Sequence, residues 1–169
     1  MVECSDFLLW FFSEAGSLKS LAELKRYVMF YGQAQHSIDQ KNRIILPAKY
    51  RELLGEEFYV VLGFDKCLCI YNEDSYKAFE EKIMMLPSSN GGDQIKRHVF
   101  NNTEKVRPDK QGRFIIPQNF RDFAGLKKDI IVAGMCSKIE IWDYDEYKKN
   151  EVKAEDVPKI QDILTNFGF

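Results

Sequence analysis

Apolar residues in this chain come in short runs separated by polar turns, a pattern that predicts strands more than long helices. Ile44-Ile45-Leu46 and Phe114-Ile115-Ile116 are rich in strand formers, and each is opened by an Asp-x-x-x-Arg turn and closed by a proline. Pro47 and Pro117 suit the first turn of a short helix, which Gly55 and Gly125 are placed to close. Residues 58–63 with 68–71, and 130–134 with 138–142, predict two further hairpins. Over about 73–86 the period changes. Tyr76, Phe79, Ile83 and Leu86 fall on one stripe of a helix, which predicts packing against a core or an interface. Residues 87–93, with their Pro, Ser, Asn and Gly, read as a linker. In the tail, 155–169 predict a short helix with Ile160, Ile163 and Leu164 on one side.

These runs repeat. Asp39-Gln-Lys-Asn-Arg43-Ile-Ile-Leu-Pro47 returns about seventy residues later as Asp109-Lys-Gln-Gly-Arg113-Phe-Ile-Ile-Pro117. Tyr50-Arg51-Glu52 then matches Phe120-Arg121-Asp122, and Gly55 matches Gly125. After one inserted residue, Val60-Val61-Leu62-Gly63 faces Ile131-Val132-Ala133-Gly134, and Leu68-Cys69-Ile70-Tyr71 faces Ile139-Glu140-Ile141-Trp142. The unit is ββαββ, and its strands are too short for one unit to make a self-sufficient sheet. The fold class expected is α+β and mainly β.

Composition adds little until charge is read locally. The net charge is −2, which speaks against nucleic acid at first sight. Residues 96–128 nevertheless hold nine Lys/Arg against three acids, while 56–81 hold seven acids against two lysines. A basic segment between acidic ones is where a polyanionic partner would bind. No run approaches a membrane span, and the apolar burst at 7–12 follows Glu3 and Asp6, unlike a secretory signal, so a cytoplasmic protein is expected. Cys4, Cys67, Cys69 and Cys136 complete no Cys/His set with zinc spacing, and only His36 and His98 are present. Cys67 and Cys69 correspond to Lys138 and Glu140 in the second unit, so the face carrying them is expected to be wet or at an interface. No metal and no cofactor are therefore expected.

The two turns carry the candidate chemistry. Lys41 and Arg43 stand at the first, Lys110 and Arg113 at the second. Asp39 and Asp109 can accept backbone N–H bonds across their turns or hold the arginine fork, while Asn42 and Gly112 occupy the position that favours a left-handed backbone. A two-stranded ribbon fits the major groove, where Arg contacts guanine bidentately. Lys49, Arg51, Lys105, Arg107 and Arg121 are placed to neutralise phosphates. The alternative from spacing alone is that each Asp and Arg merely pins its turn. Paired catalytic carboxylates fare worst, because no nucleophile, base and orienting group accompany them. A catalytic site and a small-molecule substrate are not expected.

Taken together over 29–149, these motifs resemble the MraZ family of bacterial regulators, related to AbrB and its swapped-hairpin relatives. Met29-Phe30-Tyr31-Gly32 looks like the usual start of that family, and the two turns resemble its paired Asp-x-x-Gly-Arg motifs. The resemblance implies two AbrB-like halves interleaved into a pseudo-dimeric barrel, with chains assembled into a ring. It also implies binding to double-stranded DNA at G-rich direct repeats upstream of the division and cell-wall gene cluster, which includes the regulator's own gene, and association with the nucleoid. Arg43 maps onto the family's key DNA contact, with Lys41, Arg113, Lys110, Arg51 and Arg121 around it. Asn42 departs from the usual Gly, and Asn101-Asn102 from a usual Ser-Gly.

The expected organisation is a first module over 29–86, the linker at 87–93, a second module over 94–150 and a tail over 151–169. Residues 1–28 have no place in the family pattern. They are expected to reflect a misassigned start ahead of Met29, or else an extension whose 8–12 cluster packs on the ring. A protein-binding scaffold or antitoxin-type module is the competing function, since AbrB-like hairpins occur there too. It needs no charge at the turns.

Overall fold

The computed structural model describes residues 28–166, so Cys4 and the 8–12 cluster lie outside the described residues. Each unit supplies four strands: β1 (Gln33–Ser37), β2 (Arg43–Ile45), β3 (Phe58–Leu62) and β4 (Cys67–Tyr71), then β5 (Thr103–Val106), β6 (Arg113–Ile115), β7 (Asp129–Met135) and β8 (Lys138–Asp143). Between β2 and β3 lies α1 (Ala48–Leu54), and α2 (Glu73–Met84) and α3 (Gly92–Asn101) connect the units. In the second unit α4 (Gln118–Ala124) corresponds to α1, and α5 (Tyr144–Asn150) and α6 (Val157–Asn166) complete the chain. Pro47 and Pro117 sit one place earlier than expected, as the caps of α1 and α4, while Gly55 and Gly125 follow those helices at positive φ.

The units trade strands. A six-stranded antiparallel sheet runs β1-β7-β8-β4-β3-β5, and β2 pairs with β6 in a separate ribbon. So β1 leaves its own unit to pair with β7, from Gln33 opposite Ala133 to Ser37 opposite Asp129. In return β5 pairs with β3, from Phe58 opposite Val106 to Val61 opposite Thr103. The exchange follows from strand length: no unit makes a sufficient sheet from its own short strands, and the two together make one of six. The ladders of the described residues do not close into a barrel, since β1 and β5 remain edges of the six-stranded sheet.

The main core lies between this sheet and the ribbon. Ile44 and Phe114, opposite each other at the centre of the ribbon, point inward with Leu46 and Ile116. They meet Tyr50 and Phe120 from α1 and α4, and Leu68, Ile70, Ile139 and Ile141 from the central strands. On the other side of the sheet, α2 lays its predicted stripe against β3 and β4, in a second cluster with Val61, Tyr71 and Trp142. Tyr76 stacks on Tyr59 at 3.9 Å between ring centres, and Phe79 on Tyr71 at 5.1 Å. Asn72 caps α2 by accepting the Ser75 N–H at 2.9 Å. Residues read as linker end inside α3, which begins at Gly92. In α6 the expected apolar side faces outward, with Ile163 and Leu164 exposed.

Two expectations need correction. Cys67 and Cys69 are not on a wet face: both are buried beneath α2. Their counterparts predict otherwise because α2 covers this half of the sheet face, so burial there depends on a neighbouring element. The repeat also slips by one position in the third strand. Phe58, Val60 and Leu62 face the core, and so do Ile130 and Val132, so Val60 matches Val132 and not Ile131. The hairpins explain it. Between β7 and β8 the turn is tight, with Met135 opposite Lys138 and Cys136 at positive φ. Between β3 and β4 the Gly63 N–H reaches the Cys67 carbonyl across three residues. With a side-chain period of two, one residue of slip exchanges the faces.

Candidate nucleic-acid interface

Both Asp-x-x-x-Arg turns fold alike, and the aspartate organises each. Asp39 Oδ1 accepts from the backbone N–H of Lys41 and Arg43 at 2.8 and 2.9 Å. Its Oδ2 takes the Arg43 side chain through Nε at 2.8 Å and Nη2 at 2.7 Å. Asp109 repeats the scheme with Gln111 and Arg113, at 2.8 and 2.9 Å to the backbone and 2.8 Å to Nε. The Arg43 side-chain hydrogen bond, followed by its backbone N–H, holds the Asp39 carboxyl down at about 2. For Asp109 the Arg113 backbone N–H leads, and the shift is again downward. Each aspartate engages one edge of its guanidinium. The bonds to each aspartate run through Nε and Nη2, so Nη1 makes none of them; the end-on edge of a guanidinium is the one that can match the N7 and O6 acceptors of guanine.

The sharp backbone reversal needs φ > 0 at the residue before each arginine. Asn42 supplies φ 60 and Gly112 φ 77. An arginine from the other unit then braces each turn. Arg121 on α4 donates to the Asn42 side-chain oxygen and to Gln118. Arg51 on α1 lies across Gly112, where a Cβ would meet its Nη1 at 2.6 Å. Expected as phosphate contacts, Arg51 and Arg121 are therefore also parts of the scaffold that aims the turns.

The ribbon puts both arginines on one face, with the two turns at its opposite ends, an arrangement that spacing did not predict. Because Ile44 and Phe114 face the core, Arg43, Ile45, Arg113 and Ile115 share the outer face. Arg43 stands opposite Ile115, and Arg113 opposite Ile45. Ile45 and Ile115 are large apolar side chains left exposed between two arginines. Lys41 and Lys110 are exposed on the turns, and among the described residues neither pairs with a carboxylate. Of the other expected phosphate contacts, Lys49 donates to the Tyr31 carbonyl at 2.9 Å. Lys105 and Arg107 are drawn into ion pairs with Glu57, Glu73 and Glu56, so the basic segment is partly neutralised by the acidic one beside it. Asn42 was the one available signal for the brace: a Gly-to-Asn difference in one copy, opposite an arginine present in both.

The family model described as "MraZ protein, putative antitoxin-like" matches this chain twice, over residues 29–96 and 99–166. The transcriptional regulator MraZ of Lachnoclostridium phytofermentans is 40% identical over 140 residues, covering 83% of this chain and 98% of the relative. Those of Acetivibrio thermocellus and Clostridium tetani are 41% and 38% identical over 141 residues, covering 80% and 83% of this chain and 99% of each relative. The chain belongs to the MraZ family.

Proposed function

We propose that this MraZ-family chain is a DNA-binding transcription regulator, not an enzyme, and that it reads duplex DNA with the outer face of the β2–β6 ribbon. The observation that carries this is the pair of arginines on one ribbon face, each with one edge held by an aspartate. Such pre-organisation lowers the entropy cost of a bidentate contact. Ile45 and Ile115 would meet base methyl groups, and Lys41 and Lys110 would meet phosphates. The strand exchange supports the pseudo-dimeric, swapped-hairpin reading of the two halves.

The family resemblance points to the targets and the assembly. The targets are G-rich direct repeats upstream of the division and cell-wall gene cluster and of its own gene, and the chain acts as a ring of copies in the cytoplasm, at the nucleoid. A ring presents many ribbons, so modest individual contacts add through multivalency. Among the described residues no helix is long and apolar enough to cross a membrane.

The test is a salt titration of binding to a duplex carrying the repeats upstream of the gene, beside a scrambled duplex. Arg43→Ala and Arg113→Ala are each expected to cost about 1–3 kcal/mol of specific binding, and the wild-type affinity is expected to fall steeply with salt. Equal, weak binding to both duplexes, untouched by either substitution, would overturn the reading and leave the protein-binding scaffold as its successor.

A further inference from the structure

On the sheet face opposite the ribbon, the central strand pair joins the two units through an unusual set of side chains. Cys69 on β4 stands opposite Glu140 on β8, at the centre of the strand order, and Cys67 projects to the same side two residues earlier. Ligand atoms of Cys67, Cys69 and Glu140 all lie within 4.8 Å of one another, with both sulfurs buried. Lys138 Nζ is 2.7 Å from Glu140 Oε1 and 3.7 Å from Cys69 Sγ. Trp142 Nε1 donates to the second Glu140 oxygen at 3.0 Å and fixes its orientation. Beside the sulfurs is a small cavity of about 120 Å³, bordered by Gly63, Phe64, Phe79 and Lys138. At Gly63 a Cβ would come within 2.7 Å of Cys67 Sγ, so only glycine leaves this space open. The DNA reading uses none of these groups.

We propose that Cys67, Cys69 and Glu140 form a binding site for a thiophilic, four-coordinate divalent cation of the zinc class, with the fourth position facing the cavity. Two thiolates and a carboxylate are a soft-to-borderline donor set suited to such an ion, and ligand atoms this close span a tetrahedral site. The charges also balance. Each thiol gives up its proton on binding, so a divalent cation with two thiolates and one carboxylate carries −1. The Lys138 ammonium brings the buried site to zero, which removes the cost of an uncompensated buried charge. Because the ligands come from both units, the ion would staple β4 to β8, far from the ribbon's outer face.

The test uses the reduced full-length protein with Cys4→Ser and Cys136→Ser, so that only the two buried thiols remain. Titration with Cd²⁺, read by the ultraviolet thiolate-to-cadmium charge-transfer band, is expected to saturate at one ion per chain. Zn²⁺ should displace it, and proton release of about two per ion should accompany binding. Adding Cys67→Ser and Cys69→Ser should abolish the band. Glu140→Gln, which keeps both sulfurs, should weaken binding by about tenfold or more. Circular dichroism checks that each variant is folded, and Glu140→Gln alone decides if the serine variant is not. Absence of the band while both thiols titrate with a disulfide reagent would overturn the proposal, as would an unchanged Cd²⁺ affinity in Glu140→Gln. DNA binding plays no part in this readout.

Discussion

The two turns of the ribbon share a hydrogen-bonding scheme and differ in how the rest of the molecule supports them. In the first, Asn42 has a side chain that accepts from Arg121 of the other unit. In the second, Gly112 has none, and Arg51 fills the space. The same left-handed backbone is thus secured once by a side-chain hydrogen bond and once by close packing over a glycine. What the repeat preserves is the direction of the arginines, Arg43 and Arg113, and not the means of holding them. The difference teaches that a turn residue has to be read with the element packed on it.

The largest effect is expected where the two copies are most alike. Ile44 and Phe114 face each other in the ribbon's centre, both buried. Phe114→Ala should cost about 3–5 kcal/mol and Ile44→Ala about 2–5 kcal/mol in chemical denaturation. A loss under about 1 kcal/mol at either would show that the ribbon is not part of the core.

Exchanging the turn residues probes the difference directly. Gly112→Asn places a Cβ against Arg51 and should destabilise by about 1–3 kcal/mol. Asn42→Gly gives up the Arg121 contact but relieves the positive φ, so its net effect should stay under about 1 kcal/mol. Equal costs for the two exchanges, measured by thermal or urea unfolding, would contradict the idea of two distinct supports.

The smallest effect concerns what the turns have in common. The folded-state Asp39 carboxyl is held at about 2, below its ordinary value of 3.8. A depressed carboxylate stabilises the fold above its ordinary value and loses that contribution as pH falls through its folded value. The stability gap between wild type and Asp39→Asn should therefore be full at neutral pH and should close between about pH 4 and pH 2. Unfolding curves across that range check it, and Asp109→Asn should follow the same direction. A gap that widens in acid would mean that the aspartate does not hold its arginine as a carboxylate.

Much of the turn geometry was legible in advance. The duplicated Asp-x-x-x-Arg motif located Asp39, Arg43, Asp109 and Arg113, and the turn chemistry of Asn42 and Gly112 followed from their types. Pairing of β2 with β6, which puts both arginines on one face, was not legible. Periodicity says which residues share a strand face, and nothing about the strand that comes to lie beside it. The ion pairs of Lys105 and Arg107 with Glu57 and Glu56 show the same limit, because the β3–β5 pairing brings those acids beside them.

By itself the sequence determined the repeat, the short strands, the capped helices and the two arginine turns. Those features depend on neighbours within a few residues: a left-handed turn position, a proline at a helix start, an apolar triplet. Tertiary structure alone decided the strand exchange, the one-residue slip between Val60 and Val132, the braces from Arg51 and Arg121, and the burial of Cys67 and Cys69 against Glu140. Each of these joins positions far apart in the chain, and it is settled by which face of which element is left uncovered until another segment packs on it.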